Sequence, residues 1–458
     1  MRSTPDCWPN PTHMDSEAER MTKLTIGIDG FNIAMPRGTG VATYGLGLAE
    51  AVSALGHDTL GLFGVDVGAR IETRELLFFD RIGKERPPET RKQHRRRLRR
   101  EWLRTFFPAH GFEVPLTGLV ETRAFAGRLP QFDRLLSSAN LFEIAEKRLR
   151  RQGSFLTLRV PNPPDIMHWT YPIPVRLEGA RNIYTLHDLV PLKLPYTTLD
   201  HKHVYRKLIE LCVTQGDHIC TVSESSRRDI LSLFPDVSPD KVSNSYQTAP
   251  IPEALLARPP EEDASVVEGM FGLKHRGYFL FFGALDPKKN LARIIEAYLS
   301  SRSETPLVIV GARHWGTEQE SRIFGKTGIS LYGEAAAKGL VQLDYLPREM
   351  LLRLARGAKA VLFPSLYEGF GLPALEAIRL GTPVISSTIS SLPEVVGAAG
   401  LLVDPYDAAA IAWAMRKIDG DPELSARLMA AAPAQAAKFS DEAYQARLAA
   451  MYAKVLGG

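Results

Sequence analysis

The stretch "LFPSLYEGFGLPALEAIRLGTPVISS", residues 362–387, contains the end of one strand, a glycine-rich loop, a helix and a second strand. The apolar runs at its two ends are typical of strands buried on both faces of a sheet. Between them, Gly369 and Gly371 allow the backbone to approach a ligand, and Pro373 suits the first position of a helix. A strand–helix–strand unit of this kind predicts a parallel sheet in an α/β fold.

Two glutamates stand eight positions apart in this stretch, where core packing does not need carboxylates. If Pro373 begins the helix, Glu376 falls in its first turn and Glu368 stays in the preceding loop. The amides of Gly371 and Leu372 then form an anion site of the kind that binds phosphate. Because Glu376 would repel a phosphate, we expect it to accept hydrogen bonds from hydroxyls, such as those of a ribose. The alternative is a glutamate that only stabilises the helix dipole.

The same alternation of strands and helices runs through both halves of the chain. Strands are predicted in the first half at 23–30, 59–64, 165–169, 182–188 and 218–223. The second half has predicted strands at 278–283, 306–311, 339–346, 360–365, 383–387 and 400–405. These nearly continuous apolar runs indicate parallel sheets that are covered on both faces. The predicted fold class is therefore α/β, with two Rossmann-like doubly wound domains facing a cleft, and ligands are expected at the carboxyl ends of the strands.

The chain divides by composition into several predicted segments. They are a disordered leader at 1–20, a first domain at 21–255 with a basic insertion at about 66–160, a proline-rich linker at 249–276, a second domain at 256–430, and helices at 431–458 that are expected to pack back on the first domain. The leader is polar and has no apolar central run, so it is not read as a secretory signal.

Composition excludes several classes of protein. Apolar residues make up 45% and charged residues 24% of the 458 residues, an ordinary globular balance. Three cysteines, Cys7, Cys212 and Cys220, give no disulfide framework and no zinc spacing, which favours a cytoplasmic protein. No apolar run is long enough to predict a transmembrane helix. Because no Asp-x-Asp pair and no His/Cys cluster reads as a metal site, no divalent metal is expected.

The stretch "RKQHRRRLRREWLR", residues 91–104, carries eight Arg or Lys and one acid. The whole chain has a net charge of +4, so this local +7 leaves about −3 for the remainder. The stretch is predicted to be helical, and Trp102, Phe106 and Phe107 flank it. Residues 91–107 therefore predict peripheral contact with an anionic membrane surface, with a solvated helix or a protein contact as the alternative. No nucleic-acid partner is expected, because no recognition motif accompanies the charge.

The segment "EGFGLPALE" resembles the Glu-x7-Glu motif of the fourth family of retaining glycosyltransferases, which have the GT-B fold and use nucleotide-sugar donors. The resemblance continues through "TLHD" (185–188), "TVSESSRRDI" (221–230), "GALDPKKNLARIIEAY" (283–298) and "LPEVVGAAGLLVDPYD" (392–407). It covers nearly all of 278–420 and scattered parts of the first half. The "PKKN" spelling is similar to that of mannosyltransferases in bacterial surface polysaccharide synthesis.

The resemblance implies a role for each matching residue of the donor side. Glu368 would contact hydroxyls of the donor sugar as a catalytic residue, and Glu376 would bind the nucleotide ribose. Lys289 would neutralise the donor diphosphate with help from Lys288, because charge develops on the leaving group. The remaining donor-binding positions are those of the connecting loop, Gly369, Phe370, Gly371 and Leu372. One departure is Ala284, which stands where many relatives have an arginine; Lys288 or an arginine from elsewhere is expected to substitute.

The first half contributes fewer matches. His187 ends the predicted strand at "TLHD" and matches a family histidine near the donor sugar, so it is the second catalytic candidate, with Asp188 expected to orient its ring. The loop "RGTGVATY" would place Gly38, Thr39 and Gly40 on the acceptor side of the cleft. Ser223 matches a serine near the hinge, although it could equally cap the helix that follows.

The resemblance implies transfer of a hexose, with mannose as the first choice, from a nucleotide diphosphate sugar to a hydroxyl of a glycan or a lipid-linked acceptor. The configuration at the sugar would be retained and no cofactor would be needed. The two glutamates are not a glycosidase pair, because hydrolases place their carboxylates across the scissile bond. Two alternatives stay open: a nucleotide-sugar epimerase, and a degenerate GT-B domain that only binds.

Overall fold

The computed structural model describes residues 23–35, 40–84, 89–121, 129–197, 201–284, 286–311, 339–343 and 346–457. Within these residues the chain forms two large, mainly parallel sheets, one in each half, and a small three-stranded sheet in the first half. We call the first sheet with its helices the first lobe, and the second sheet with its helices the second lobe. Gly38, Thr39, Cys7 and the predicted leader lie outside the described residues.

The strands and helices of the first half alternate as the apolar runs predict. Its strands are β1 (Thr25–Asp29), β2 (Asp58–Phe63), β3 (Ala109–His110), β4 (Phe112–Val114), β5 (Arg134–Ser137), β6 (Leu156–Arg159), β7 (Ile166–Trp169), β8 (Val175–Leu177), β9 (Arg181–Thr185), β10 (His218–Thr221) and β11 (Val242–Asn244). Its helices are α1 (Gly40–Ala54), α2 (Ile71–Arg81), α3 (Arg91–Arg104), α4 (Leu141–Gln152), α5 (Val190–Lys193), α6 (Lys202–Gln215) and α7 (Glu224–Leu233).

The second half has fewer and more regular elements. Its strands are β12 (Phe279–Phe282), β13 (Leu307–Val310), β14 (Leu340–Leu343), β15 (Ala360–Phe363), β16 (Val384–Ser387) and β17 (Gly400–Val403). Its helices are α8 (Glu253–Leu256), α9 (Pro260–Phe271), α10 (Leu291–Ser301), α11 (Arg348–Gly357), α12 (Leu372–Arg379), α13 (Leu392–Val396), α14 (Ala408–Gly420), α15 (Pro422–Ala437) and α16 (Asp441–Gly457). A short 3-10 helix, Pro287–Lys289, precedes α10.

The main sheet of the first lobe has the strand order β11-β10-β9-β7-β1-β2-β5-β4, and only β4 runs antiparallel to its neighbour. The sheet of the second lobe has the order β14-β13-β12-β15-β16-β17 and is parallel throughout its described pairs. In this sheet β12 pairs with β15 although they are far apart in sequence. The loops that follow β12 and β15 therefore leave the same sheet edge side by side, as at the ligand-binding edge of other open α/β sheets.

Burial explains why the strands could be recognised from apolar runs. All four residues of β12, "FLFF", are buried, and so are all four of β7, β13 and β15. A parallel strand covered by helices on both faces has no solvent side, so its sequence does not alternate. Among the described helices, none combines the length and the hydrophobicity needed to cross a bilayer.

The region predicted as a basic insertion, at about 66–160, contributes strands to two sheets of the first half. The structure places β4 and β5 from this region in the main sheet, beside β2, and forms β3 and β6 in a separate three-stranded sheet with β8. The sequence missed these strands because they have only two to four residues and include charged side chains such as Arg134 and Arg159. The predicted basic helix is present as α3, and a capping box at Thr90 and Gln93 defines its start.

Two predicted boundaries also change. The position 431 lies inside α15, which packs on α12 in the second lobe, and only α16 lies against α1 of the first lobe. Tyr452 of α16 is held there by a hydrogen bond between its hydroxyl and Nδ1 of the buried His168, 2.9 Å apart. The predicted linker contains α8 and α9, and α9 packs on α11, so packing of the second lobe begins within it.

Candidate active site

The candidate site lies where the carboxyl ends of strands from both lobes meet. His187 follows β9 and Thr170 follows β7 in the first lobe, while Lys289 and Glu368 come from the loops after β12 and β15 in the second. The structure therefore brings together three residues that the sequence placed after strand ends, His187, Lys289 and Glu368, and adds Thr170, which the sequence did not predict. Contacts between the side chains and backbones of these loops define the site.

Glu368 and Lys289 form an ion pair at the bottom of the site. Lys289 Nζ lies 2.6 Å from Glu368 Oε1, and both side chains are largely buried. The ammonium group also lies 4.5 Å from the ring centre of Phe363, on the face of the ring. Burial raises the pKa of the Glu368 carboxyl, but Lys289 and then Lys288 lower it more, so the pKa stays below its ordinary value. Glu368 is consequently ionised at neutral pH.

Lys288 connects the two lobes. Its Nζ lies 3.7 Å from Oδ2 of Asp188, the residue after His187, and both side chains are mostly buried. Burial lowers the pKa of Lys288, but the carboxylates of Asp188 and Glu368 outweigh burial and raise the pKa well above its ordinary value. Lys288 is therefore a permanent cation at the interface between the lobes.

His187 is held by the backbone of a neighbouring strand end. Its Nε2 donates to the carbonyl oxygen of Thr170 at 2.8 Å, and the edge of the ring meets Tyr44 with centroids 4.8 Å apart. Because a carbonyl only accepts, the proton of the neutral ring lies on Nε2 and Nδ1 keeps its lone pair. Burial lowers the pKa of His187, although Thr170 and Asp188 oppose this, so the ring is neutral at pH 7. The prediction that Asp188 orients the ring is not what the geometry shows, since Thr170 does so.

Glu376 has a partner that the sequence reasoning missed. Arg348, the first residue of α11, places its guanidinium 2.6 Å from Glu376 Oε1. Burial raises the pKa of Glu376, and Arg348 offsets only part of this because 46% of its own side chain is exposed. The expectation that Glu376 lies in the first helical turn is also wrong: α12 begins at Leu372, which puts Glu376 beyond the first turn and almost fully buried.

The conformation of the loop between Glu368 and Glu376 depends on its two glycines, Gly369 and Gly371. A methyl group on Gly369 would overlap the backbone carbonyl of His187 in the other lobe, so only glycine allows this contact. Gly371 caps α12 with φ +109°, and a methyl group there would lie 2.6 Å from Leu392. The ring of Phe370 is buried against Phe439, with centroids 5.5 Å apart, so its side chain belongs to the core of the structure.

Two further expectations concern the edges of the site. Gly40, the last residue of the predicted acceptor-side loop, faces Leu372, since a methyl group on Gly40 would lie 3.8 Å from its Cδ1. At Ala284, the nearby Arg293 does not replace the missing arginine, because its guanidinium donates to Asn290 Oδ1 at 3.0 Å as part of the start of α10. Lys288, Lys289 and Arg348 are thus the cations that the described residues bring to the site.

A cavity of about 720 Å³ opens in the first lobe, away from the ion pairs. Its walls include Ser138 and Ala139, which follow β5, and Phe112, which pairs with the end of β5. The cavity therefore lies on the carboxyl edge of the first sheet, two strands from β1, or about 10 Å along that edge. Its lining includes three arginines and two phenylalanines (Arg74, Arg104, Arg159, Phe107 and Phe112), together with one acid, Glu113.

Comparisons with known proteins agree with the arrangement of the second lobe. Residues 273–435 match the family model described as glycosyl transferases group 1. O-antigen chain mannosyltransferase B of Escherichia coli is 34% identical over 245 residues, which cover 52% of this chain and 61% of that protein. The serotype-specific mannosyltransferase WbdA of Escherichia coli is 30% identical over 278 residues, which cover 59% of this chain and 33% of that protein. The chain thus spans less than two thirds of the length of either relative.

Solved structures share the architecture of both lobes. HepE of Anabaena, in complex with UDP and glucose, superposes with a TM-score of 0.60 at 14% identity, covering 94% of this chain and 99% of that one. Sucrose-phosphate synthase from Thermosynechococcus elongatus gives a TM-score of 0.59 at 17% identity, covering 95% of this chain and 100% of that one. The fold is therefore GT-B, with two Rossmann-like domains, as predicted. Together with the sequence matches, this confirms the resemblance to GT-B glycosyltransferases and to bacterial mannosyltransferases.

Replacing Gly369 by alanine tests the contact between the lobes. The new methyl group would overlap the His187 carbonyl, and because both partners are backbone, relief requires the lobes to separate. We expect a larger radius of gyration in small-angle X-ray scattering and a melting temperature lower by several degrees, for a loss of about 1–3 kcal/mol. Gly269→Ala is the matched control, because nothing lies within 4 Å of its added methyl group. Equal scattering from both variants would contradict the contact.

Proposed function

We propose that this protein is a retaining glycosyltransferase that moves a hexose, in the first instance mannose, from a nucleotide diphosphate sugar to a hydroxyl of a glycan or a lipid-linked acceptor. The observation that carries the proposal is the buried Lys289–Glu368 pair beside Lys288, on the loops after β12 and β15. The relatives support the sugar, since two of them are named as mannosyltransferases. The HepE structure supports the donor class, since it holds UDP and glucose.

The three cations of the site suit a diphosphate. Lys288 and Lys289 stand on the loop after β12, and the start of α12 adds backbone amides on the neighbouring loop. A donor diphosphate beside Lys289 would compete with Glu368 for the ammonium group. Glu368 would then be free to accept hydrogen bonds from the hydroxyls of the donor sugar. Because the lysines supply the positive charge that the leaving group needs, the proposal includes no divalent metal.

Glu376 and His187 complete the donor site in this proposal. Glu376 accepts hydrogen bonds from the ribose hydroxyls, for which its carboxylate must be ionised, and Arg348 favours that form. His187 presents Nδ1 as an acceptor toward the donor sugar, because Nε2 is bound to Thr170.

The transfer itself follows a front-face course. The bond between the anomeric carbon and the diphosphate oxygen breaks, and the acceptor oxygen bonds to that carbon from the same side. The acceptor proton passes to the leaving phosphate oxygen, so no protein base is needed and the configuration is retained. The two lysines stabilise the charge that develops on the diphosphate.

We place the acceptor on the first lobe. Gly40 faces the donor loop, and the cavity beside β5 lies on the same sheet edge with arginines and aromatic rings in its walls. The exposed side chains on and after α3 include Trp102, Phe106 and Phe107. They favour attachment to an anionic membrane at the cytoplasmic face, where a lipid-linked acceptor is within reach.

Removal of the central carboxylate or imidazole should stop transfer without unfolding the protein. Glu368→Gln and His187→Ala are each expected to lower kcat by about 100-fold or more, because each removes a contact to the reacting sugar. Nucleotide sugars are first screened for thermal stabilisation, starting with GDP-mannose and UDP-glucose, and nucleoside diphosphate release is then measured with and without acceptor glycans. Glu296→Gln, on the exposed face of α10, is the control.

Three outcomes would contradict this proposal. Normal turnover in both variants would refute the site. An isomerised nucleotide sugar formed from the donor alone would indicate an epimerase. Absence of nucleotide-sugar binding in calorimetry would indicate a scaffold.

Loss of Arg348 should change the pH dependence of donor use. The pKa of Glu376 is already raised by burial, and removing the guanidinium raises it further. In Arg348→Met the carboxylate is therefore protonated at a higher pH, and the acid limb of kcat/KM for the donor moves to higher pH. The matched control is Arg416→Met, an exposed position on α14. An acid limb that stays in place would show that Glu376 does not need its charge to bind the donor.

The basic helix should give charge-dependent membrane binding. We expect the protein to sediment with vesicles containing phosphatidylglycerol and not with pure phosphatidylcholine vesicles, because each basic residue contributes about 1 kcal/mol near an anionic surface. Arg96→Gln, Arg99→Gln and Arg100→Gln together should lower the bound fraction at least tenfold. The same loss of charge at Arg416, Lys417 and Arg427 in the second lobe is the control. Indifference to lipid charge would remove membrane attachment from the proposal.

A further inference from the structure

The one-turn helix α13 contacts both the first lobe and the loop that carries Glu368. The contacts are made by Ser391, which immediately precedes the helix, and by Glu394, three positions later. Residues three apart lie on one side of a helix, so the two contacts are rigidly linked.

Glu394 binds the start of a helix in the other lobe. Its two carboxylate oxygens accept hydrogen bonds from the backbone amides of Glu224 at 3.0 Å and Ser225 at 2.9 Å, the first two residues of α7. The hydroxyl of Tyr246 donates to the same carboxylate at 3.1 Å. The cap within the lobe, Ser223, accepts only the amide of Ser226. The second lobe therefore supplies the anion that the start of α7 favours.

Ser391 holds the backbone on both sides of Gly369. Its hydroxyl approaches the carbonyl oxygens of Glu368 at 3.0 Å and of Phe370 at 2.7 Å. The preceding residue, Ser390, accepts the amide of Glu368 at 3.1 Å. The position of the Glu368 carboxylate thus depends on where the start of α13 lies.

The far side of α13 is also fixed. The side-chain amide of Gln435 in α15 donates to the carbonyl oxygens of Glu394 at 2.8 Å and of Val395 at 2.9 Å. Gln435 therefore fixes α13 to the second lobe. The carboxylate of Glu394 can bind α7 only when the two lobes are together. Three charge-assisted hydrogen bonds form on closure and are lost on opening.

We propose that Glu394 is a positioning residue that couples closure of the two lobes to the placement of Glu368. When the lobes close, the carboxylate of Glu394 binds the backbone amides at the start of α7. Ser391, at the start of α13, then holds the Glu368 loop in the position that places the carboxylate of Glu368 in the site. Nothing in the match to known proteins assigns this role to Glu394. The catalytic part of this inference rests on the proposed function, whereas the contact itself does not.

Hydrogen exchange of the ligand-free protein tests the contact. In Glu394→Ala we expect the amides of Glu224 and Ser225 to exchange at least about tenfold faster, because they lose their acceptors. In Tyr246→Phe the same amides should stay protected, since only the third hydrogen bond is removed. The control is Glu423→Ala, a glutamate in the first turn of α15 that faces solvent. Unchanged protection in Glu394→Ala would overturn the proposal.

A double-mutant cycle tests the coupling. With the nucleotide sugar that stabilises the protein most, Glu394→Ala and Ser391→Ala should each lower kcat about tenfold and change the donor KM much less. If both act through one path, the double variant should lose little more than either single variant. Glu394→Gln, which still accepts hydrogen bonds, should recover part of kcat. The proposal would be overturned if the kcat losses of the two single variants multiplied in the double variant. It would also be overturned if kcat fell only in proportion to the melting temperature, because Glu394 would then be no more than a stabilising contact.

The two measurements separate this inference from the proposed function. If the wild-type protein turns over no nucleotide sugar, the proposed function fails, and the exchange of the α7 amides still decides whether Glu394 holds the lobes together. If transfer occurs and the exchange is unchanged in Glu394→Ala, the proposed function stands and the coupling fails.

Discussion

The direct contact between the backbones of Gly369 and His187 is the constraint on which the site depends. These residues belong to different sheets, and the missing side chain of Gly369 allows its backbone to meet the carbonyl of His187. Other contacts between the lobes lie beside this one, including Lys288 with Asp188 and the hydroxyl of Ser226 near the carbonyl of Gly369 at 3.4 Å. A residue with a Cβ would hold the lobes apart and leave the carboxylate, the lysines and the imidazole on separate surfaces.

Burial and the neighbouring cations decide the charge states inside the site. Glu368 and Glu376 are both buried, yet their pKa values move in opposite directions. Glu368 has two ammonium groups nearby, which outweigh the cost of burial, while Glu376 has one half-exposed guanidinium, which does not. A buried ion pair adds little to stability compared with apolar packing. Retaining the mostly buried pairs Lys289–Glu368 and Lys288–Asp188 at one sheet edge is better explained by the charged donor proposed above than by stability.

The sequence predicted the parts of the structure that depend on local pattern. The strand ends that carry His187, Lys289 and Glu368 follow apolar runs long enough to recognise, and the cap at Ser223 follows from its residue type. Arg348 and Thr170 were missed because their roles come from contacts made only in the folded chain, and an arginine at the start of a helix looks like a surface residue. The strands β4 and β5 were missed because three or four residues with a charge among them show no clear period.

The family model matches the second lobe and not the first, and the ligands proposed for the two lobes explain this difference. The matched region, residues 273–435, coincides with the second lobe, whose loops face the candidate donor site. A diphosphate demands cations and helix amides at fixed places, so few sequences satisfy it. The first lobe has short strands, a basic helix and a cavity of its own, and in the proposed function it binds the acceptor. Many surfaces can bind a hydroxyl-bearing acceptor. The first lobe brings the end of β9 with His187 to the candidate site, and the second lobe binds it at the start of α7.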